Sequence, residues 1–101
     1  MIIYNITTLV SWPIHDDWRK WLFDEFLPEI MDTQLFSHFQ VVRLMDVNED
    51  EGPTYAVQLY LKNTADFISY RDKHLRKFQQ KEKDVWGDYA TSFASLMEVI
   101  N

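Results

Sequence analysis

The sequence predicts a single domain of the α+β class over residues 1–101, and three observations carry that prediction. Runs of β-type residues and runs with helical periodicity follow one another in the order strand, helix, strand, strand, helix, strand. Only two glycines and three prolines interrupt the chain, so regular elements with short connections take up most of it. The composition is 47% hydrophobic and 16% aromatic with no cysteine, which indicates a folded domain without a disulfide framework.

The first half of the chain contains one predicted strand and one predicted helix. Residues 2–10 are rich in Ile, Thr, Tyr and Val, which fit a pleated surface. Pro13 suits the first turn of a helix, and apolar side chains then recur every four residues. This stripe consists of Ile14, Trp18, Leu22, Phe26 and Ile30. Pro28 removes one backbone hydrogen bond, so we expect a kink or an early end of the helix around residues 24–27.

The second half begins with a predicted hairpin, in which strands over residues 38–47 and 54–62 are joined by the polar connection 48–53. A helix of about 20 residues follows, capped by Asn63 or Thr64 at its start and by Gly87 at its end. Its apolar stripe consists of Phe67, Tyr70, His74 and Phe78. A last strand over residues 89–100 completes a ferredoxin-like βαββαβ sandwich, with a four-stranded antiparallel sheet and two helices on one face.

Both faces of the predicted sheet carry apolar residues. A symmetric hairpin turn would place Arg43 opposite Gln58 on one face and Val42 opposite Leu59 on the other. Neither face then alternates as cleanly between apolar and polar residues as a water-exposed antiparallel sheet does. Because two helices cover only one face, we predict a homodimer in which two sheets stack face to face. A monomer with a wide exposed apolar face is the alternative.

The charge balance excludes some classes of partner. Sixteen acidic and ten basic side chains give a net charge of -6, which disfavours binding to nucleic acid. No apolar run approaches the roughly 18 residues of a membrane helix, and the first residues do not resemble a signal peptide, so we expect a cytoplasmic protein without a membrane partner. Six of the ten basic residues fall within residues 71–83 of the second helix. We interpret them as a solvated face that complements the acidic first helix, with docking of an acidic partner or a nucleic acid strand as the alternative.

The sequence predicts no metal site and no cofactor. No two of His15, His38 and His74 are spaced for one helix face, and we expect His15 in solvent and His74 in the core. Asp46, Asn48 and Asp50 resemble the start of a calcium-binding loop. A glycine comes one position late in that loop, however, and a valine stands where the bidentate glutamate is required.

One set of polar residues shares a face of the predicted sheet. It consists of Asn5, Thr7, Arg43, Gln58 and Tyr60. In a cavity of low dielectric constant, Arg43 would hold an anionic group while the others form hydrogen bonds around it. We therefore predict that a small apolar or aromatic anion binds there. The alternative is that these groups bond to one another across the dimer and fix its register, since no acid–base pair or activated nucleophile is recognisable.

Several stretches of the sequence resemble a family of small bacterial proteins of unknown function. They are residues 1–5, Trp18 and Trp21, Leu27 to Glu29, residues 54–58, and Tyr70, His74, Leu75, Gly87 and Phe93. That family is placed in the dimeric α/β barrel, ferredoxin-like superfamily, whose protomers pack their sheets into a barrel around a cavity. The resemblance therefore implies a homodimer with an internal cavity.

The same resemblance implies an enzymatic alternative. The superfamily includes cofactor-free monooxygenases and isomerases of small aromatic compounds, and in such an enzyme Trp18, Tyr60 and Arg43 would orient the substrate. Two positions depart from the family pattern: Phe26 stands where a histidine is favoured, and Ala94 where an arginine is favoured. Each departure removes a polar group that would otherwise be available for chemistry.

Overall fold

A computed structural model describes residues 1–101 and confirms the α+β, ferredoxin-like prediction. One antiparallel sheet has the strand order β2-β3-β1-β4, so β2 and β4 form its two edges. The strands are β1 (Ile2–Val10), β2 (His38–Arg43), β3 (Thr54–Leu61) and β4 (Ala90–Glu98). The helices cover one face, where Tyr4 of β1 packs against Phe67 and Tyr70.

The first helical region changes its winding along its length. A 3₁₀ turn (Trp12–Ile14), α1 (His15–Trp21), a π-helical segment (Leu22–Phe26) and α2 (Leu27–Met31) follow one another. Pro28 has no backbone N–H and lies in the first turn of α2. In the π-helical segment directly before it the Leu27 amide donates to Leu22 O, and the helix continues to Met31 instead of ending. The disturbance predicted around residues 24–27 is present as this change of winding.

The second helix, predicted as one element, is two. Its parts are α3 (Thr64–Lys73) and α4 (Leu75–Trp86), and His74 between them has φ -131° and ψ -30°, outside the helical range. The side chain of Asn63 caps α3 by accepting a hydrogen bond of 2.9 Å from the Asp66 amide. Gly87 ends α4 at its predicted capping position with φ +56° and ψ -130°, a positive φ that favours glycine.

The predicted register of the hairpin is wrong by three residues. Arg43 pairs with Tyr55 instead of Gln58, and Val42 pairs with Ala56 instead of Leu59. The strand β2 ends at Arg43, so the connection to β3 spans residues 44–53 and is not centred on the predicted turn. Because side chains alternate along a strand, a shift by an odd number transfers every β2 side chain to the opposite face. Arg43 therefore lies on the helix-facing side.

The core lies between the helices and the sheet. It includes fully buried aliphatic side chains of β3 and the first helical region, and a group of aromatic rings in mutual contact to which the second helical region contributes Tyr70 and Phe78. Trp18 packs on Tyr55 at a ring distance of 5.2 Å, and Phe36 packs on Tyr70 at 4.9 Å. None of the helices combines the length and the apolar character needed to cross a bilayer.

Candidate functional site

An open cleft lies between α4 and the edge strand β4, on the helix-covered side of the sheet. Its volume is about 360 Å³. Phe26 and Phe78 form an aromatic wall, and Ile6, Ala90 and Ala94 add small or aliphatic surface. Polar side chains also line it, among them Tyr4, Tyr70, Glu82 and Ser92. The cleft therefore combines apolar surface with hydrogen-bonding groups, as small-molecule sites do.

The space exists because β4 presents small side chains to the helices. Ala90, Ser92 and Ala94 face the same side as their β1 partners Val10, Thr8 and Ile6. No bulky side chain from β4 fills the gap beneath α4. Phe26 and Ala94, where the resemblance implies a histidine and an arginine, both line this cleft and add apolar surface to it.

Glu82 is the one carboxylate that is half-buried in the cleft wall. The Ser92 hydroxyl donates a hydrogen bond to Glu82 Oε1. A hydroxyl has a single proton, so Thr8 must in turn donate to Ser92, over 2.7 Å. Burial raises the pKa of the Glu82 carboxyl, and the bond from Ser92 opposes that rise.

Two tyrosines line the same cleft as this carboxylate. Tyr4 and Tyr70 are almost entirely buried, and their hydroxyls form no hydrogen bond within the protein but keep some accessible surface in the open cleft. Burial, with the charge of Glu82 as a second cause, raises the pKa of Tyr4 to about 12. Burial also raises the pKa of Tyr70, with Tyr4 as the second cause. Both hydroxyls therefore keep their protons at neutral pH and remain hydrogen-bond donors.

The sequence analysis did not identify Glu82, although its spacing carries a signal. The apolar stripe of the second helical region runs through Tyr70, His74 and Phe78 at intervals of four, and Glu82 is the next position. A carboxylate that continues a buried stripe is unusual and marks a candidate site. The basic residues around Glu82 instead indicated that this part of the helix is a solvated face.

The structure separates the predicted site residues into two groups. Asn5, Thr7, Gln58 and Tyr60 share the face of the sheet that no helix covers, which we call the open face. Asn5 pairs with Gln58 and donates a hydrogen bond of 3.0 Å to the Thr7 hydroxyl. Tyr60 stacks on His38 at a ring distance of 4.2 Å.

Arg43 and Trp18 lie on the opposite side of the sheet. Trp18 is buried in the core. Arg43 forms two hydrogen bonds with the Glu49 carboxylate, of 2.8 and 3.1 Å, and its guanidinium lies near the rings of Trp12 and Tyr55. The prediction that Arg43 shares a face with the other four polar residues is therefore wrong. The three-residue shift in register places it on the opposite face.

None of the three histidines lines the cleft. His15 is not in solvent as expected: its side chain is only 11% exposed, and its Nε2 lies 2.7 Å from the Tyr55 hydroxyl. Burial lowers the pKa of His15, and the neighbouring Asp16 partly offsets this effect. His74 packs against Tyr70 and Phe78. No three His, Cys, Asp or Glu side chains come close enough together to hold a metal ion.

The sequence matches the family model "Domain of unknown function (DUF4286)" over residues 1–100. The chain belongs to the DUF4286 family. The resemblance to a family of unknown function is thereby confirmed. No curated protein matches the DUF4286 chain.

Solved structures share the fold of the DUF4286 chain at low sequence identity. An ethyl tert-butyl ether D (EthD) family protein from Bacillus halodurans C-125 has a TM-score of 0.69 and 11% identity, with 99% of this chain and 100% of that chain covered. HapK from Hahella chejuensis has a TM-score of 0.68 and 16% identity, with 99% of this chain and 93% of that chain covered. A dimeric ferredoxin-like protein from an uncultured marine organism has a TM-score of 0.56 and 16% identity, with 99% of this chain and 96% of that chain covered. These similarities establish the fold of the DUF4286 chain.

Proposed function

We propose that the protein is a homodimer in which each protomer binds a small, largely apolar molecule in the cleft between α4 and β4. The observation that carries the proposal is the cleft, which pairs an aromatic wall with two tyrosine hydroxyls that have no partner in the protein. Its volume of about 360 Å³ falls in the range of sites for small molecules. Ligand oxygen atoms would supply the hydrogen-bond partners that the tyrosines lack.

The charges around the cleft favour a neutral ligand over the anion expected from the sequence. Glu82 and Asp88 line the cleft, against Lys83 as the only cation. Arg43, which would have held the anion, lies on β2 at the opposite edge of the sheet and is paired with Glu49. An anionic group beside the half-buried Glu82 carboxylate would be repelled. A neutral aromatic molecule with a carbonyl or hydroxyl oxygen fits both the aromatic wall and the hydroxyls.

The ligand proposal is tested with two probes that share one ring system. Saturation-transfer NMR and titration should show that neutral 2-naphthol binds and that anionic 2-naphthoate does not. Gln79 lines the cleft and its exposed neighbour Gln80 does not, so Gln79→Trp should weaken 2-naphthol binding at least about tenfold while Gln80→Trp should not. Equal binding to both variants, or no binding of 2-naphthol to the wild type, would contradict the proposal.

The open face supports the homodimer. Charged residues make up 26% of the chain, yet every outward position of the four strands on this face is free of Lys, Arg, Asp and Glu. The cores of protein interfaces are depleted of charged residues in the same way. Apolar side chains, among them Ile3, Phe93 and Met97, surround the central polar pair Asn5 and Gln58. A second copy of the same face would bury the apolar groups and supply hydrogen-bond partners for the polar ones.

A further inference from the structure

We infer that Glu82 is a general base that transfers a proton on an enolisable carbonyl compound bound in the cleft, with the hydroxyl of Tyr4 or Tyr70 binding the carbonyl oxygen. This inference rests on the ligand cleft proposed above and adds a reaction to it. The substrate class is a neutral aromatic ketone or aldehyde with a hydrogen on the carbon next to the carbonyl group.

The position of the carboxylate is the first argument. Glu82 lies in the cleft wall, and its Oε1 is held by the Ser92 hydroxyl, which is itself held by Thr8. Glu82 Oε2 has no hydrogen bond within the protein and remains free to accept a proton. No cation forms an ion pair with this carboxylate, whereas Glu29 and Glu49 are paired with Lys81 and Arg43. A carboxylate neutralised by a cation is a weaker base.

The tyrosine hydroxyls provide the second argument. Removal of a proton next to a carbonyl places negative charge on the carbonyl oxygen, and preorganised donors that face that oxygen stabilise the transition state. Tyr4 and Tyr70 line the same cleft as Glu82, and their hydroxyls have no partner in the protein. A carboxylate base combined with neutral hydrogen-bond donors is one arrangement by which enzymes catalyse enolisation.

Burial supports the role of Glu82. A general base works best when its pKa lies near the working pH, and burial moves the pKa of the Glu82 carboxyl upward from its ordinary value. The raised pKa values of both tyrosines keep them protonated, so they act as donors and do not compete as bases.

The reaction is balanced without a cofactor. The Glu82 carboxylate takes the proton from the carbon next to the carbonyl group. The C–H electron pair forms the C=C bond of the enolate, and the carbonyl π pair moves onto oxygen, where a tyrosine hydroxyl binds it. The protonated Glu82 then returns the proton to the same carbon or to the far end of a conjugated system. The outcome is exchange or isomerisation, with no oxidant or reductant consumed.

The test measures proton exchange on 2-tetralone, a neutral aromatic ketone. Proton NMR in D₂O follows the replacement of the hydrogens next to its carbonyl group, with the buffer rate subtracted. We expect exchange catalysed by the wild type to fall at least about tenfold in Glu82→Gln, since a general base contributes about 10²–10⁴-fold. Glu82→Asp should retain an intermediate rate. Glu25→Gln, which removes an exposed carboxylate outside the cleft, is the matched control and should exchange at the wild-type rate.

The outcomes separate the reaction from the binding proposal. Far-UV circular dichroism establishes that each variant is folded, and the amide oxygen introduced by Glu82→Gln can still accept the hydrogen bond from Ser92. Equal exchange rates for the wild type and Glu82→Gln would overturn the proton-transfer inference, whether or not the ketone binds. Binding of 2-naphthol, measured in the same samples, decides the ligand proposal independently.

Discussion

Gly52 lies so close to the backbone of Val10 that a Cβ atom at position 52 would be 1.7 Å from the Val10 carbonyl oxygen. Two hydrogen bonds fix this approach, from the Val10 amide to Pro53 O over 2.9 Å and from the Trp12 amide to Glu51 O over 3.1 Å. The connection between β2 and β3 is therefore tied to the end of β1. This contact places the start of β3 and explains why the hairpin is not symmetric.

Replacement of Gly52 by alanine is expected to destabilise the protein more than the same change at Gly87. Gly87 also has a positive φ, +56°, but a Cβ atom there would meet nothing within 4 Å. Gly87→Ala should therefore cost only the backbone strain of about 1–3 kcal/mol, whereas Gly52→Ala adds a backbone clash. Urea unfolding of both variants measures the difference. Equal losses of unfolding free energy would show that the contact with Val10 relaxes freely.

Glu82→Gln is expected to raise the melting temperature at pH 7. Burial raises the pKa of Glu82 in the folded state, so the ionised carboxylate lowers stability once the pH exceeds the ordinary value of 4.5. In a domain of this size, a change of 1 kcal/mol in unfolding free energy shifts the melting temperature by ~4–8 °C. The increase in melting temperature should be smaller than this, because Glu82 is only half-buried. Below about pH 4 the two proteins should melt alike, because the carboxyl is then protonated in both states. A melting difference that does not change between pH 4 and pH 7 would contradict this account.

Thr7→Lys is expected to dissociate the proposed dimer. Thr7 lies at the centre of the open face, between Ala56 and Phe93, and two unpaired ammonium groups would be buried between the protomers. We expect the dissociation constant to rise at least about 100-fold, measured by sedimentation velocity or native mass spectrometry. Gln80→Lys adds the same charge on the exposed surface of α4 and serves as the control. A wild type that is monomeric at every concentration would refute the homodimer.

His15 is expected to make stability depend on pH below neutrality. Its imidazole is buried beside Tyr55, and burial lowers its pKa below 6.5 in the folded state. The unfolded chain therefore binds a proton more readily, and stability is lost as the pH falls below about 6.5. Denaturation at pH 7 and pH 5 should show a smaller loss in His15→Gln than in the wild type. An equal loss would show that other groups determine the acid sensitivity.

The fold was predictable because local patterns determine it. Each local signal depends on a few adjacent residues: strand propensity, the apolar stripe of period four and the cap at Asn63. The strands, the helices and the cap that these signals predict are all present in the structure. The break at His74 was not visible, because the apolar stripe continues through it. Four of the five predicted polar residues, Asn5, Thr7, Gln58 and Tyr60, do share the open face, because they lie on the central strands β1 and β3, whose faces are set by burial.

The position of Arg43 and the cleft were not predictable for a different reason. The face on which Arg43 lies depends on how residues 44–53 turn, and that turn is fixed by the distant contact of Gly52 with Val10. The cleft depends on the distance between α4 and β4, which no local pattern encodes. Tertiary contacts therefore decide the parts of the molecule on which function depends, while the local sequence decides its architecture.

The small side chains of β4 have an evolutionary consequence. Ala90, Ser92 and Ala94 set the size of the cleft, and they lie on an edge strand whose residues are largely exposed. Exchanges at Ser92 or Ala94 would reshape the cleft with little disturbance of the core formed by β1 and β3. If the proposed ligand binds there, selection can diversify it through one strand while the rest of the scaffold is maintained.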